Sequence, residues 1–129
     1  MAHPNEDLLR RGYDAFGSGD MATIAGLFAD DIVWHFPGRN PLAGDYKGRD
    51  EVLAFFAKSM EMAGGTLKVE VHDVLANDEH GVGLFRATGQ RGTKRLADNG
   101  VNVFHIKDGK ATEVWSHAGD PVAVDEFWS

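Results

Sequence analysis

The sequence predicts an α+β fold, with helices in the first half and an antiparallel meander in the second. Three observations carry this. Up to about residue 63 the apolar residues recur at helical spacing. From residue 67 they alternate at a period of two. Asp108-Gly109 lies between two β-like runs, which signals a tight hairpin rather than a crossover helix. Helices followed by consecutive hairpins mean segregated layers, not repeating βαβ units.

Pro4 and Asn5 can open a first helix, and Glu6 and Asp7 suit its positive end. Leu9, Tyr13 and Phe16 form its apolar stripe, and Gly17 is its expected stop. Asp20 reads as the N-cap of a second helix with Ile24, Leu27 and Phe28 on its inner face, ending at Asp30-Asp31. Ile32 to Phe36 is a β-branched and aromatic run closed by Pro37-Gly38, a short strand. Residues 37–48 carry Pro37, Gly38, Asn40, Pro41, Gly44 and Gly48 and read as a loop. A third helix follows from about Arg49 to Ala63, with Val52, Phe55, Phe56 and Met60 on one side and Gly64-Gly65 as its stop. Leu67, Val69 and Val71 begin the first strand of the meander, and Asn77-Asp78-Glu79 turns it. Further strands are expected over 81–91, 101–107 and 111–118, with a turn near Gly92. Asp120 to Trp128 is an acidic segment expected to form a terminal turn or helix.

The chain has 129 residues, the length of one domain, expected here over residues 1–129. Its formal charge of −7 argues against nucleic acid, because phosphate binding needs clustered Lys and Arg. No apolar run approaches the roughly 20 residues of a membrane span. No basic-then-apolar leader is visible, so the expected setting is cytoplasmic. Cysteine is absent, which removes disulfides, thiol nucleophiles and thiolate-held metals. No phosphate-binding loop and no His-Glu-x-x-His occurs, so neither a cofactor nor a metal is expected.

Gly19-Asp20, Leu27-Phe28-Ala29-Asp30-Asp31, Gly48-Arg49-Asp50-Glu51-Val52 and the hairpin Phe104 to Lys110 resemble the SnoaL-like branch of the NTF2-like superfamily. The resemblance covers nearly the whole chain. It implies a cone-shaped barrel, three N-terminal helices packed on a curved mixed or antiparallel sheet, and often a homodimer. It does not imply one activity, because that fold serves isomerases, cyclases, epoxide hydrolases and non-catalytic partners. Matched to the ketosteroid isomerases, the general-base aspartate falls on Phe36, the first-helix tyrosine on Gly12 beside Tyr13, and a second tyrosine on Phe56. Phe36 cannot take a proton, so that mechanism is rejected. Matched to the limonene epoxide hydrolases, the five relay positions fall on Gly81, Gly83, Ser116, Trp34 and Phe36, and none survives. Matched to the polyketide cyclases, the catalytic aspartate falls on Ser116 and a pocket histidine on Asn102.

These matches, read with the strand pattern, select the candidate site. Trp34, Phe36, Phe56, Asn102 and Ser116 are expected to line an apolar pocket for a small, flat, mostly apolar molecule. Trp34 also reads as a core tryptophan. Asn102 shares the face of Phe104 and Ile106, where an amide must be hydrogen-bonded or cost about 1–3 kcal/mol. His117 or Asp120 is the expected base if acid–base chemistry occurs; otherwise the protein binds its ligand without turnover. His35, His105 and His117 also read as unrelated surface histidines. Tyr13 reads as core, and Tyr46 as part of a loop. Gly81, Gly83 and Gly89 lie on one strand face and either curve the sheet or leave room for a ligand.

The face of the last strand decides much of this. A two-residue turn at Asp108-Gly109 sets Asn102 opposite Trp115 and turns His117 inward. A bulge at Gly109 shifts the pairing by one, so that Val114, Ser116 and Ala118 look inward. The bulged register is the expected one, because Glu113 would otherwise face an apolar core. Val103, His105, Trp115 and His117 then lie on an uncovered face, the expected homodimer interface.

Overall fold

A computed structural model describes residues 3–129. Four helices and six strands follow one another as α1 (Pro4–Ser18), α2 (Met21–Leu27), β1 (Phe28–Phe36), β2 (Gly44–Lys47), α3 (Arg49–Met62), β3 (Lys68–Ala76), β4 (His80–Arg91), β5 (Lys94–Lys107), β6 (Lys110–His117) and α4 (Pro121–Trp128). The strands form one mixed sheet in the order β2-β1-β6-β5-β4-β3. Every pairing is antiparallel except β1 with β6. No helix among the described residues is long and apolar enough to cross a membrane.

The helices start and stop where local chemistry requires. The Asp20 carboxylate accepts the Thr23 backbone N–H at 3.1 Å and caps α2. The chain leaves α1 through Gly19 and α3 through Gly64-Gly65, all with positive φ. The C-terminal segment is a fourth helix: Asp120 caps it by accepting from Ala123 N at 3.1 Å, and Pro121 opens it.

Three elements differ from the sequence reading. Phe28 leaves α2 and begins β1, because pairing with Ala111 of β6 draws it into extended backbone. The loop over 37–48 contains β2, whose pairing to β1 supplies an order that its glycines and prolines do not. β5 begins at Lys94, seven residues before the expected start. Its Asp98, Asn99 and Gly100 look like turn residues in isolation, yet they continue an unbroken pairing with β4.

The hairpin before β6 resolves the register. Asp108 and Gly109 both have positive φ, 52° and 74°, as a tight two-residue turn needs. Lys107 pairs with Lys110 and Ile106 with Ala111, but His105 pairs with Glu113. The extra residue is therefore Thr112, not Gly109. Beyond this bulge Asn102 faces Ser116 and Phe104 faces Val114. The expected faces of β6 stand, while the expected position of the bulge is corrected.

The core lies between the concave side of the sheet and the helices, with Ile24, Ile32, Leu42, Val52, Val114 and Phe127 at its most enclosed points. The three strand glycines have a use that neither expectation named, because two of them are where α1 meets the sheet. A Cβ at Gly81 would lie 2.8 Å from Leu9 Cδ2, and one at Gly83 would overlap the Tyr13 hydroxyl. Gly89 faces Phe127 of α4 in the same way.

The opposite face carries one register row across the whole sheet: Leu75, Val82, Val103, Trp115, His35 and Asp45. The His35 ring stacks on Trp115 at 5.2 Å and sits between two carboxylates. Nδ1 is 2.7 Å from Asp45 and Nε2 is 2.6 Å from Glu113. A neutral imidazole has only one N–H, so only the imidazolium donates to both. Glu113 foremost, then Asp45, raises the pKa above the ordinary 6.5. The folded-state value is raised, so the clamp's stabilisation is complete below pH 6.5 and is lost as pH rises through the raised value. Thermal melts of the wild type and His35→Gln should therefore differ most between about pH 5 and 6.5 and converge at higher pH. A difference that does not change with pH would show that the imidazolium is not what clamps β1, β2 and β6.

Candidate functional site

Between sheet and helices lies a cavity of about 170 Å³. Its walls are mainly aromatic and aliphatic: Phe16, Phe28, Phe36, Phe55, Phe56, Phe85 and Phe104 with Leu9, Ile24, Leu67, Val69 and Leu96. Trp34, Phe36, Phe56, Asn102 and Ser116, the five expected binding residues, all line it.

The rings hold one another in fixed orientations. Trp34 is met edge-on by Phe56 at 5.1 Å and by Phe104 at 6.1 Å. Phe36 packs on Phe55 at 5.1 Å. Tyr46, from β2 rather than a free loop, stacks on Phe55 at 4.4 Å and donates its hydroxyl to Leu42 O.

One corner of the cavity is polar, and its proton accounting is definite. Trp34 Nε1 donates to Ser116 Oγ at 2.9 Å. Ser116 Oγ donates to Asn102 Oδ1 at 2.8 Å. Asn102 Nδ2 donates to Tyr13 Oη at 2.9 Å. Each group spends a proton on the next, so the series ends on the Tyr13 O–H. Among the described residues nothing accepts that proton. Burial holds the Tyr13 hydroxyl well above the ordinary tyrosine range, against the opposing effect of the Asn102 hydrogen bond. Tyr13 is therefore a neutral donor in this site. Its proximity to Asn102 depends on Gly83, the cross-strand neighbour of Asn102, whose bare backbone leaves the space that the hydroxyl fills.

A second polar group lines the cavity. Asp98 is 7% exposed and lies on the inward face of β5, four residues before Asn102. Its two carboxylate oxygens accept the backbone N–H groups of Gly119, at 3.0 Å, and Asp120, at 2.8 Å. These bonds hold the chain as it turns from β6 into α4, whose Val124 and Trp128 also line the cavity. The far end of α4 is tied by Arg91, which donates to Phe127 O at 2.6 Å and to Met62 O at 3.1 Å.

The two expected bases occupy other positions. The Asp120 carboxylate points back to cap α4 and is not part of the cavity lining. His117 borders the cavity but is exposed, because the Thr112 bulge turns its side chain to the outer face of β6. The further polar groups that line the cavity are Tyr13, expected in the core, and Asp98. Helical spacing alone puts Tyr13 in the core, and nothing local reveals that its hydroxyl meets Asn102. Asp98 is legible in part: Leu96, Asp98, Gly100, Asn102, Phe104 and Ile106 alternate without a break, but the strand expected over 101–107 leaves it out. Among the described residues no three His, Asp or Glu side chains are grouped to hold a metal ion.

Comparison with known proteins agrees with this architecture. An uncharacterised protein of Mycobacterium tuberculosis is 33% identical over 124 residues, covering 95% of each chain. Bal32a, from a soil-derived mobile gene cassette, superimposes with a TM-score of 0.95 at 42% identity, covering 98% of this chain and 97% of its own. A Xanthomonas campestris protein of unknown function with a cystatin-like fold does so with a TM-score of 0.89 at 29% identity, covering 95% and 96%. The SnoaL-like domain model matches residues 9–114, from α1 to the middle of β6. That match takes in β1 to β5, the first part of β6 and most of the cavity wall, and the chain belongs to the SnoaL-like family of the NTF2-like fold.

Proposed function

We propose that the protein binds a small, flat, mostly apolar molecule inside the cone, with a hydrogen-bond acceptor on that molecule directed at Tyr13. The observation that carries this reading is the unspent Tyr13 proton in a mainly aromatic and aliphatic cavity. Flat rings match walls built of edge-on aromatic pairs. A carbonyl or ether oxygen would accept the Tyr13 proton, and an acceptor placed away from the polar corner would lose its water without replacement. The cytoplasm is the proposed setting and a single domain the proposed unit.

A second reading, isomerase- or cyclase-type acid–base chemistry on such a molecule, is favoured by one observation: a carboxylate, Asp98, lines the same cavity. In that reading Asp98 takes the place given to His117 or Asp120 by the sequence, and Tyr13 supplies the proton.

We also propose a homodimer through the outer face of the sheet. Leu75, 53% exposed, begins an apolar row that runs through Val82 and Val103 to Trp115, and no helix among the described residues covers it. Solvated apolar rows of this size mark contact surfaces.

Titration with 2-acetonaphthone, whose carbonyl accepts a hydrogen bond, and with naphthalene, which has none, tests the binding reading. Tyr13→Phe should weaken 2-acetonaphthone about three- to tenfold, the value of one neutral hydrogen bond, and leave naphthalene unchanged. Gly83→Ala should have the same selective effect by displacing the hydroxyl. Equal loss for both probes, or none for either, would remove Tyr13 from recognition.

Light scattering tests the assembly. The wild type should show twice the 14.1 kDa chain mass, and Trp115→Glu should return it to one chain. A wild-type monomer at micromolar concentration would overturn the proposed dimer.

A further inference from the structure

The cavity is polar at two separated places, and the groups there have opposite hydrogen-bonding character. At one, the series from Trp34 ends on a donor, the Tyr13 hydroxyl. At the other, Asp98 offers only acceptors. A carboxylate has about four lone-pair sites, and the backbone N–H groups of Gly119 and Asp120 use one on each oxygen. Among the described residues no Lys, Arg or His pairs with it. Asp98 is thus a buried carboxylate facing a mainly apolar space with acceptor capacity unspent, an arrangement that a donor on a ligand would complete.

Both ends stand on β5. Asp98 and Asn102 are four residues apart on one strand face, so their Cα atoms are about 13 Å apart at the usual rise per residue. Between them is Gly100, which has no side chain, and the Phe85 ring lies across it: a Cβ there would overlap Phe85 Cζ and Cε2. The surface from one polar group to the other is therefore aromatic.

We propose that the cavity selects a flat, ring-containing molecule with an acceptor at one end and a hydroxyl or similar donor at the other. Asp98 is the residue that fixes which way round it enters. This rests on the binding reading above and narrows its ligand class.

Three ketones on the native protein separate the possibilities: 2-acetonaphthone, 6-hydroxy-2-acetonaphthone and 6-methoxy-2-acetonaphthone. The hydroxy ketone should bind about tenfold or more tightly than the parent, as expected for a hydrogen bond to a carboxylate. The methoxy ketone, of similar shape but with no donor, should show no such gain. Asp98→Asn should abolish the advantage of the hydroxy ketone while leaving 2-acetonaphthone bound. If that variant does not fold, the three ketones on the native protein decide the matter alone. Binding of 2-acetonaphthone with no gain from the hydroxyl would overturn this proposal and leave the broader binding reading standing. Failure of all three to bind would overturn both.

Discussion

The buried amide of Asn102 is the constraint on which the site depends. It sits among Phe104, Val114 and Gly83 on the inward side of the sheet, where an unpaired amide would cost about 1–3 kcal/mol. Its oxygen is taken by Ser116 of β6 and one of its N–H groups by Tyr13 of α1. Trp34 of β1 enters the same series through Ser116. One side chain thus ties three strands and a helix together, and each tie has a single geometry that satisfies it. Apolar contacts alone would let α1 slide over the sheet at little cost. The amide does not permit that, because any slide exposes a polar atom to the core.

Two small features make this arrangement possible. Thr112 is an extra residue in β6, and without it the side chains beyond the hairpin would exchange faces. Trp115 and His117 would point into the cone, and Ser116 would be lost from Asn102. Gly83 is the other. It pairs with Asn102 across β4 and β5, and its missing side chain is the space that Tyr13 occupies. Both features place polar atoms within reach of one another without adding an atom of their own to the network.

The outer face and α4 extend the same logic. His35 joins β2 and β6 from β1 by holding a carboxylate on each ring nitrogen, while its ring covers Trp115. At the other side of the molecule Asp98 and Arg91 hold the two ends of α4 over the cavity through backbone groups. Asp125 ties the middle of α4 to Arg39 and Asn40 in the loop after β1. The cavity is therefore enclosed by an element that charged side chains hold at its ends and middle, while Val124, Phe127 and Trp128 bury its apolar side.

The sequence by itself determined most of the element types and limits and the apolar character of the pocket. Those follow from periodicity, capping residues and glycine punctuation, which act over a few residues. It also placed Trp34, Phe36, Phe56, Asn102 and Ser116 in one site, since each falls on an apolar face next to a family motif. Only the tertiary structure decided the start of β1, the existence of β2 and the full length of β5, because strand pairing overrides local propensity. It alone brought Tyr13 to Asn102 and revealed Asp98 as the carboxylate in the cavity, while showing Asp120 as a helix cap and His117 as an outward residue. The reason is one of range: a polar side chain's role depends on which distant partner satisfies it, and neither spacing nor composition encodes a partner 89 residues away.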